Sequence, residues 1–118
     1  MTSSTAAERR NEDLRPYTRR AKDTDAWAIK ELIDHHVGSG TLLARSLEFI
    51  TDYAHEFIVA VSLQEIVGCV HLDEYAPSLA ELRSLAVHKD WQGKGVGREL
   101  VIATEKLATA RGYATLFA

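Results

Sequence analysis

The stretch Asp90 to Leu100, DWQGKGVGREL, places glycine at positions 93, 95 and 97, and an amphipathic helical pattern starts immediately after it. Glycine at alternate positions removes the Cβ atoms that keep a ligand off the backbone, and it admits positive φ where amides must converge. Set between a strand and a helix N-terminus, such a loop points several N–H groups outward at the positive end of the helix dipole. The consequence is an anion site. Gln92, Lys94 and Arg98 add side-chain donors, two of them charged, a set better suited to a pyrophosphate than to a single carboxylate. A glycine-rich hinge is the other reading of the loop taken alone. Two common phosphate motifs are excluded, because no G-x-x-x-x-G-K-[ST] string exists and GKGVG lacks the G-x-G-x-x-G spacing of a dinucleotide site.

The segments around the loop set its context. LAELRSLAVH (79–88) alternates as a strand, with Leu79, Glu81, Arg83, Leu85 and Val87 on one face and Ala80, Leu82, Ser84 and Ala86 on the other. Before it, EFIVAVSL (56–63) and EIVGCVHLDEY (65–75) are β-branched runs around a polar Gln64-Glu65 corner, which predicts an antiparallel hairpin extended by 79–88 into a meander. RSLEFITDYAH (45–55) reads as a short helix and SGTLLA (39–44) as a loop. DTDAWAIKELIDHHVG (23–38) reads as an amphipathic helix capped by Asp23 and stopped at Gly38. LRPYTRRA (14–21) is a first strand. Downstream, Val96, Leu100, Ala103 and Leu107 form the apolar stripe of a helix closed by Gly112, and YATLFA (113–118) begins another strand.

The 118 residues suit one small domain, preceded by a polar, flexible tail over 1–13. A net charge of −3, with acids beside the arginine pairs 9–10 and 19–20, gives no basic surface for nucleic acid or an anionic membrane; both pairs read as solvated. The single cysteine, Cys69, lies in an apolar run and reads as core; it excludes an intrachain disulfide and suits the cytoplasm. The five histidines are scattered, with no H-E-x-x-H, so no metal is expected. Trp27 and Trp91 read as packing residues.

LRSLAVHKDWQGKGVGRELV resembles the GNAT superfamily of acetyl-CoA-dependent N-acetyltransferases. Its Q/R-x-x-G-x-G/A motif falls at Gln92-Gly93-Lys94-Gly95-Val96-Gly97, after a strand and before a helix as that family requires. The resemblance implies an α/β (α+β) domain over 14–118, with a mixed, mostly antiparallel sheet flanked by helices and cut short after the fifth strand. It implies that Leu85, Ala86 and Val87 hold the pantetheine arm of acetyl-CoA, and that Gln92, Gly93, Lys94, Gly95, Val96, Gly97 and Arg98 hold its pyrophosphate. GTLLARSLEFI, EIVGCVHL and AELRSLAVH look like the acetyltransferase domain of N-acetylglutamate synthases, with Ala44 where proline is common.

That narrower likeness implies direct attack of an amino acid, L-glutamate above all, on the acetyl thioester, a reaction that serves arginine biosynthesis. Glu81 is then the general base, or else simply an ion-pair partner of Arg83. Arg45 and Arg83 are candidate carboxylate clamps, with structural pairing to Glu48 or Glu81 as the alternative. Leu42 and Leu43 would meet substrate, and a strand amide such as that of Leu85 would serve the developing oxyanion. Other readings are a GNAT enzyme for another amine or protein, or a catalytically incomplete CoA-binding module. An unpartnered last strand further predicts a homodimer or strand-exchanged oligomer.

Overall fold

A computed structural model describes residues 15–118. The tail expected at 1–13 and the Arg9-Arg10 pair lie outside the described residues. The elements are β1 (Tyr17–Arg20), α1 (Ala26–Gly38), α2 (Leu47–Asp52), β2 (Phe57–Ser62), β3 (Glu65–Ala76), β4 (Leu79–Val87), α3 (Val96–Ala110) and β5 (Thr115–Phe117). They build one five-stranded sheet in the order β1-β2-β3-β4-β5, antiparallel except where β4 meets β5 in parallel. The predicted meander is present. Its first turn falls at Leu63-Gln64 rather than Gln64-Glu65, with φ of 50° and 67°, the two-residue turn that matches strand twist.

The two faces of the sheet have separate cores. Ile29 and Ile33 of α1 and Ile50 of α2 bury against Phe57, Val59, Cys69 and Ala86 on one face. On the other, Val96 and Leu100 of α3 cover Ile58, Ala60 and Val70. Gly68 lets α3 sit directly on the sheet: a Cβ there would come within 2.9 Å of Leu100 Cδ1 and 3.0 Å of Val96 Cγ1. Burial pushes the Cys69 thiol up to about 12, in keeping with a core thiol rather than a nucleophile. Trp91 packs at the edge of the α3 core, but Trp27, expected to pack, is 67% exposed on α1. No helix among the described residues is long and apolar enough to cross a membrane.

Asp23 does not cap α1. Residues Asp23–Asp25 form a 3₁₀ turn instead, and α1 begins at Ala26. Asp25 accepts from the Lys22 amide at 2.7 Å and takes both arms of Arg19, at 2.7 and 3.1 Å, so this arginine is an anchor rather than a solvated surface charge. Arg19 is the first cause holding the Asp25 carboxyl below its usual range, with the Lys22 amide reinforcing it. A carboxylate depressed in the fold stabilises above its unfolded pKa and loses that contribution as pH falls through the folded value. Asp25→Asn is therefore expected to cost about 1–2 kcal/mol at neutral pH. In paired thermal melts the Tm gap to the wild type should close below about pH 4; a gap independent of pH would remove the charge from the explanation.

Candidate active site

The alternation expected along β4 holds only to Arg83. Between the pairs Cys69↔Ala86 and His71↔Arg83, β3 has one residue and β4 has two, so Ser84 and Leu85 form a bulge with Ser84 at φ 54°. The strand changes face there. Glu81 and Arg83 lie on the α1 side, whereas Leu85 and Val87 pack toward α3, contrary to the single face read from the sequence. Ala86 takes the α1 side beyond the bulge.

Before the bulge, β4 forms one wall of a cleft. The opposite wall is the loop from Thr41 to Arg45, and the cleft, open to solvent, has a volume of about 250 Å³. Leu42, Leu43, Arg45, Glu81 and Arg83 all line it, so the structure brings together each residue that the resemblance placed near the acceptor. The short helix begins later than expected, at Leu47, because the Ser46 hydroxyl accepts from the Phe49 amide at 3.0 Å; Arg45 is thereby left in the loop. Arg45 stands over the Phe49 ring at 5.1 Å, and its Nε is buried with no hydrogen-bond partner among the described residues. No Arg45–Glu48 ion pair forms. Burial first, then the like charge of Arg83, holds the Arg45 guanidinium below its ordinary value. Half-buried at the cleft wall, the guanidinium keeps its charge beside the space between the loop and β4.

Arg83 is engaged more fully. Its Nη1 lies 3.1 Å from Asp73 Oδ2 and its Nε 3.7 Å from Glu81 Oε1. Asp73 and Glu81 are cross-strand partners, so two carboxylates face each other and the guanidinium between them offsets their repulsion. The expected Glu81–Arg83 pair exists, as the longer of the two contacts.

After the bulge, β4 serves a different purpose. β5 pairs only with Leu79 to Glu81, which leaves the outer edge of β4 from Leu82 to Val87 without a strand neighbour among the described residues. At its end a 3₁₀ turn, Lys89–Trp91, leads into the glycine loop. Gly93 and Gly95 have φ of 75° and 86°, and a Cβ at either would meet nothing within 4 Å among the described residues beyond its chain neighbours, so the backbone is bare on its open side. Gly95 is the N-cap of α3 and supplies no side-chain cap, leaving the first-turn amides of α3 outward. The Gln92 side chain donates to Val87 O at 3.1 Å and ties the loop to the strand rather than standing free. Lys94 rests over the Trp91 ring at 5.3 Å, and Lys94 and Arg98 are exposed.

Within this sheet order, a strand with a free edge thus runs into a left-handed glycine loop that caps a helix. Residues 8–118 match the Acetyltransferase (GNAT) family. The chain belongs to the GNAT acetyltransferases. It is 36% identical over 99 residues to an uncharacterised N-acetyltransferase of Chlorobaculum tepidum, covering 84% of this chain and 64% of that one. To an amino-acid acetyltransferase of Mycobacterium tuberculosis it is 36% identical over 95 residues, covering 78% and 54%. This GNAT chain thus spans between about half and two thirds of those relatives' lengths. Among solved structures it is similar to N-acetylglutamate synthase from Neisseria gonorrhoeae complexed with coenzyme A and N-acetyl-glutamate, with TM-score 0.81, 28% identity, and coverage of 86% of this chain and 24% of that one.

One cluster of this GNAT domain was not foreseen. The 3₁₀ turn Ala54–Glu56 turns Glu56 toward the sheet, where Glu56 Oε1 lies 2.9 Å from Nε2 of the buried His71. Donor atoms of Glu56, His71 and Asp73 lie within 4.8 Å of one another. Glu56 and His71 are hydrogen-bonded, Asp73 is bonded to Arg83 instead, and Arg45 acts electrostatically on His71, so two cations already stand beside this group. The period-2 reading of 65–75 puts Cys69, His71 and Asp73 on one face, and two polar residues beside a core cysteine were the available signal.

Proposed function

We propose that this chain transfers an acetyl group from acetyl-CoA to the α-amino group of an amino acid, L-glutamate above all, by direct attack of the amine on the thioester. The observation that carries the reading is the pairing in one cleft of a carboxylate, Glu81, with the half-buried guanidinium of Arg45, beside a strand that runs into the glycine cradle. The names of the relatives and the coenzyme A complex of the structural neighbour support it.

In this reading the bare loop at Gly93 and Gly95, the first-turn amides of α3, and Lys94 and Arg98 hold the pyrophosphate. The free edge of β4 at Leu85, Ala86 and Val87 offers main-chain groups to the amide-bearing pantetheine arm. Bound acetyl-CoA supplies an activated acetyl group at the cleft. Arg45 takes the α-carboxylate of the amino acid, which fixes the ammonium toward β4. Glu81 removes the ammonium proton and frees the nitrogen lone pair. Arg83, held by Asp73, keeps Glu81 oriented and offers charge to a second carboxylate.

The test is an acceptor screen that follows release of free CoA thiol. Glutamate is expected to give the highest kcat/KM among the amino acids, and Arg45→Ala to raise the glutamate KM about tenfold or more, the loss of a charge-assisted hydrogen bond. Release with peptide or aminoglycoside amines but with no amino acid would replace this reading.

A further inference from the structure

Ser84 is a non-glycine residue held in the left-handed region, at φ 54°, in the middle of a strand. The other two non-glycine residues with positive φ among those described, Leu63 and Gln64, make the β2–β3 turn, which requires that conformation. A strand interior does not require it, and a side chain there carries a conformational cost that glycine avoids. Glycine would therefore make the β4 bulge with less strain. What serine adds to the same bulge is a hydroxyl.

The residue is 9% exposed and lines the cleft with Glu81, Leu82 and Arg83. Its carbonyl accepts from Cys69 Sγ at 3.6 Å, which ties the bulge to the α1-side core. Its hydroxyl has no hydrogen-bond partner among the described residues, yet it is not fully enclosed: the enclosed side-chain atoms without a partner are Arg45 Nε and His71 Nδ1. The Ser84 hydroxyl therefore meets the solvent that fills the cleft. Leu82 and Ser84 also belong to the stretch of β4 whose outer edge has no strand neighbour among the described residues. The cleft and the free edge thus overlap at these two residues. With the pantetheine arm along Leu85 to Val87 and the amine beside Glu81, the thioester lies at that overlap.

We propose that the Ser84 hydroxyl is a catalytic donor to the thioester carbonyl oxygen, strengthening its hydrogen bond as that oxygen becomes an oxyanion. The proposal rests on acetyl transfer in this cleft. As the amine nitrogen bonds to the carbonyl carbon, the C=O electron pair moves onto oxygen, where the hydroxyl meets it. Return of that pair breaks the C–S bond, and the thiolate leaves as the CoA thiol with the proton that the nitrogen sheds. Ser84 keeps its own proton throughout. The strain of the bulge then has a use, because it sets a short polar side chain at the meeting point of the two halves of β4.

The decisive pair of variants is Ser84→Ala and Ser84→Gly. Both remove the hydroxyl; alanine keeps the Cβ and the backbone cost of serine, whereas glycine adopts φ 54° freely. With glutamate saturating, kcat is expected to fall about 10- to 100-fold in both, the rate equivalent of one hydrogen bond to a charged oxygen. The glutamate KM and the calorimetric acetyl-CoA affinity should stay within about twofold. Wild-type kcat in Ser84→Gly overturns the proposal, since the bulge alone would then suffice. A raised KM at constant kcat also overturns it and assigns the hydroxyl to the acceptor. Infrared spectra of bound acetyl-CoA, isotope-labelled at the thioester carbonyl, read the contact without turnover and without an acceptor. The carbonyl band is expected at lower frequency on the wild type than on Ser84→Gly, and equal bands overturn the proposal even where a variant turns over poorly for other reasons. A wild-type chain that lowers the band but acetylates no amino acid overturns the amino-acid reading and leaves the Ser84 contact standing; one that binds no acetyl-CoA overturns both.

Discussion

Glu81→Gln is expected to lower kcat by about 10²- to 10³-fold, the range typical of losing a positioned general base. Acetyl-CoA affinity should be nearly unchanged, because Glu81 lies before the β4 bulge and the free edge and glycine loop lie after it. Glutamine preserves shape and still accepts from Arg83, whose shorter contact is to Asp73, so the strand should fold as before. The discriminating measurement is single-turnover acetyl transfer with calorimetric acetyl-CoA binding on the same preparation. Equal loss of turnover and binding would mean that the substitution disturbed the strand. Turnover within twofold of wild type would leave Glu81 as an ion-pair partner only.

Gly95→Val is expected to weaken acetyl-CoA binding more than tenfold. Gly95 sits at φ 86°, ψ 3°, where a β-branched residue costs about 1–3 kcal/mol, and its open side is where the loop meets the pyrophosphate in the proposed site. Apart from its chain neighbours, no described residue comes within 4 Å of a Cβ at this position, so the cost is conformational and directed at the ligand rather than the core. Gly97→Ala is the control. That residue lies inside α3 and its Cβ would make an ordinary 3.8 Å contact with Val87 Cγ2, so a small effect is expected. Calorimetry on both variants reads the difference; equal losses would show that the left-handed conformation of Gly95 is not what shapes the cradle.

Much of this was legible in the sequence, for local reasons. The glycine loop announces itself because three glycines precede an apolar stripe, and the meander because β-branched runs alternate around short corners. Leu42, Leu43, Arg45, Glu81 and Arg83 were expected near an acceptor from likeness to a family, and the structure gathers them around one cleft. What escaped reading depends on contacts distant in the chain. Asp25 was seen as part of a helix start, but its partner Arg19 is six residues back and its role is an anchor between β1 and α1. Glu56 meets His71 only because a 3₁₀ turn, invisible to a helical period, swings it toward β3. The period-2 reading of β4 failed at Ser84, since nothing in RSLA marks a non-glycine residue in the left-handed region.

That one residue changes the parity of the strand. Before Ser84 it is Glu81 and Arg83 that face the cleft; past it Ala86 turns to the same side. β4 is therefore read in two frames, one for the cleft and one for the α3-side core, with the frame shift located between them. Side chains can be exchanged within either frame while the other keeps its register. Removing a single residue at the junction would merge the frames: either Glu81 and Arg83 would turn into the α3 core or Leu85 and Val87 would turn out of it. The chemistry of the cleft thus depends on the residue count of β4 as much as on which residues it contains.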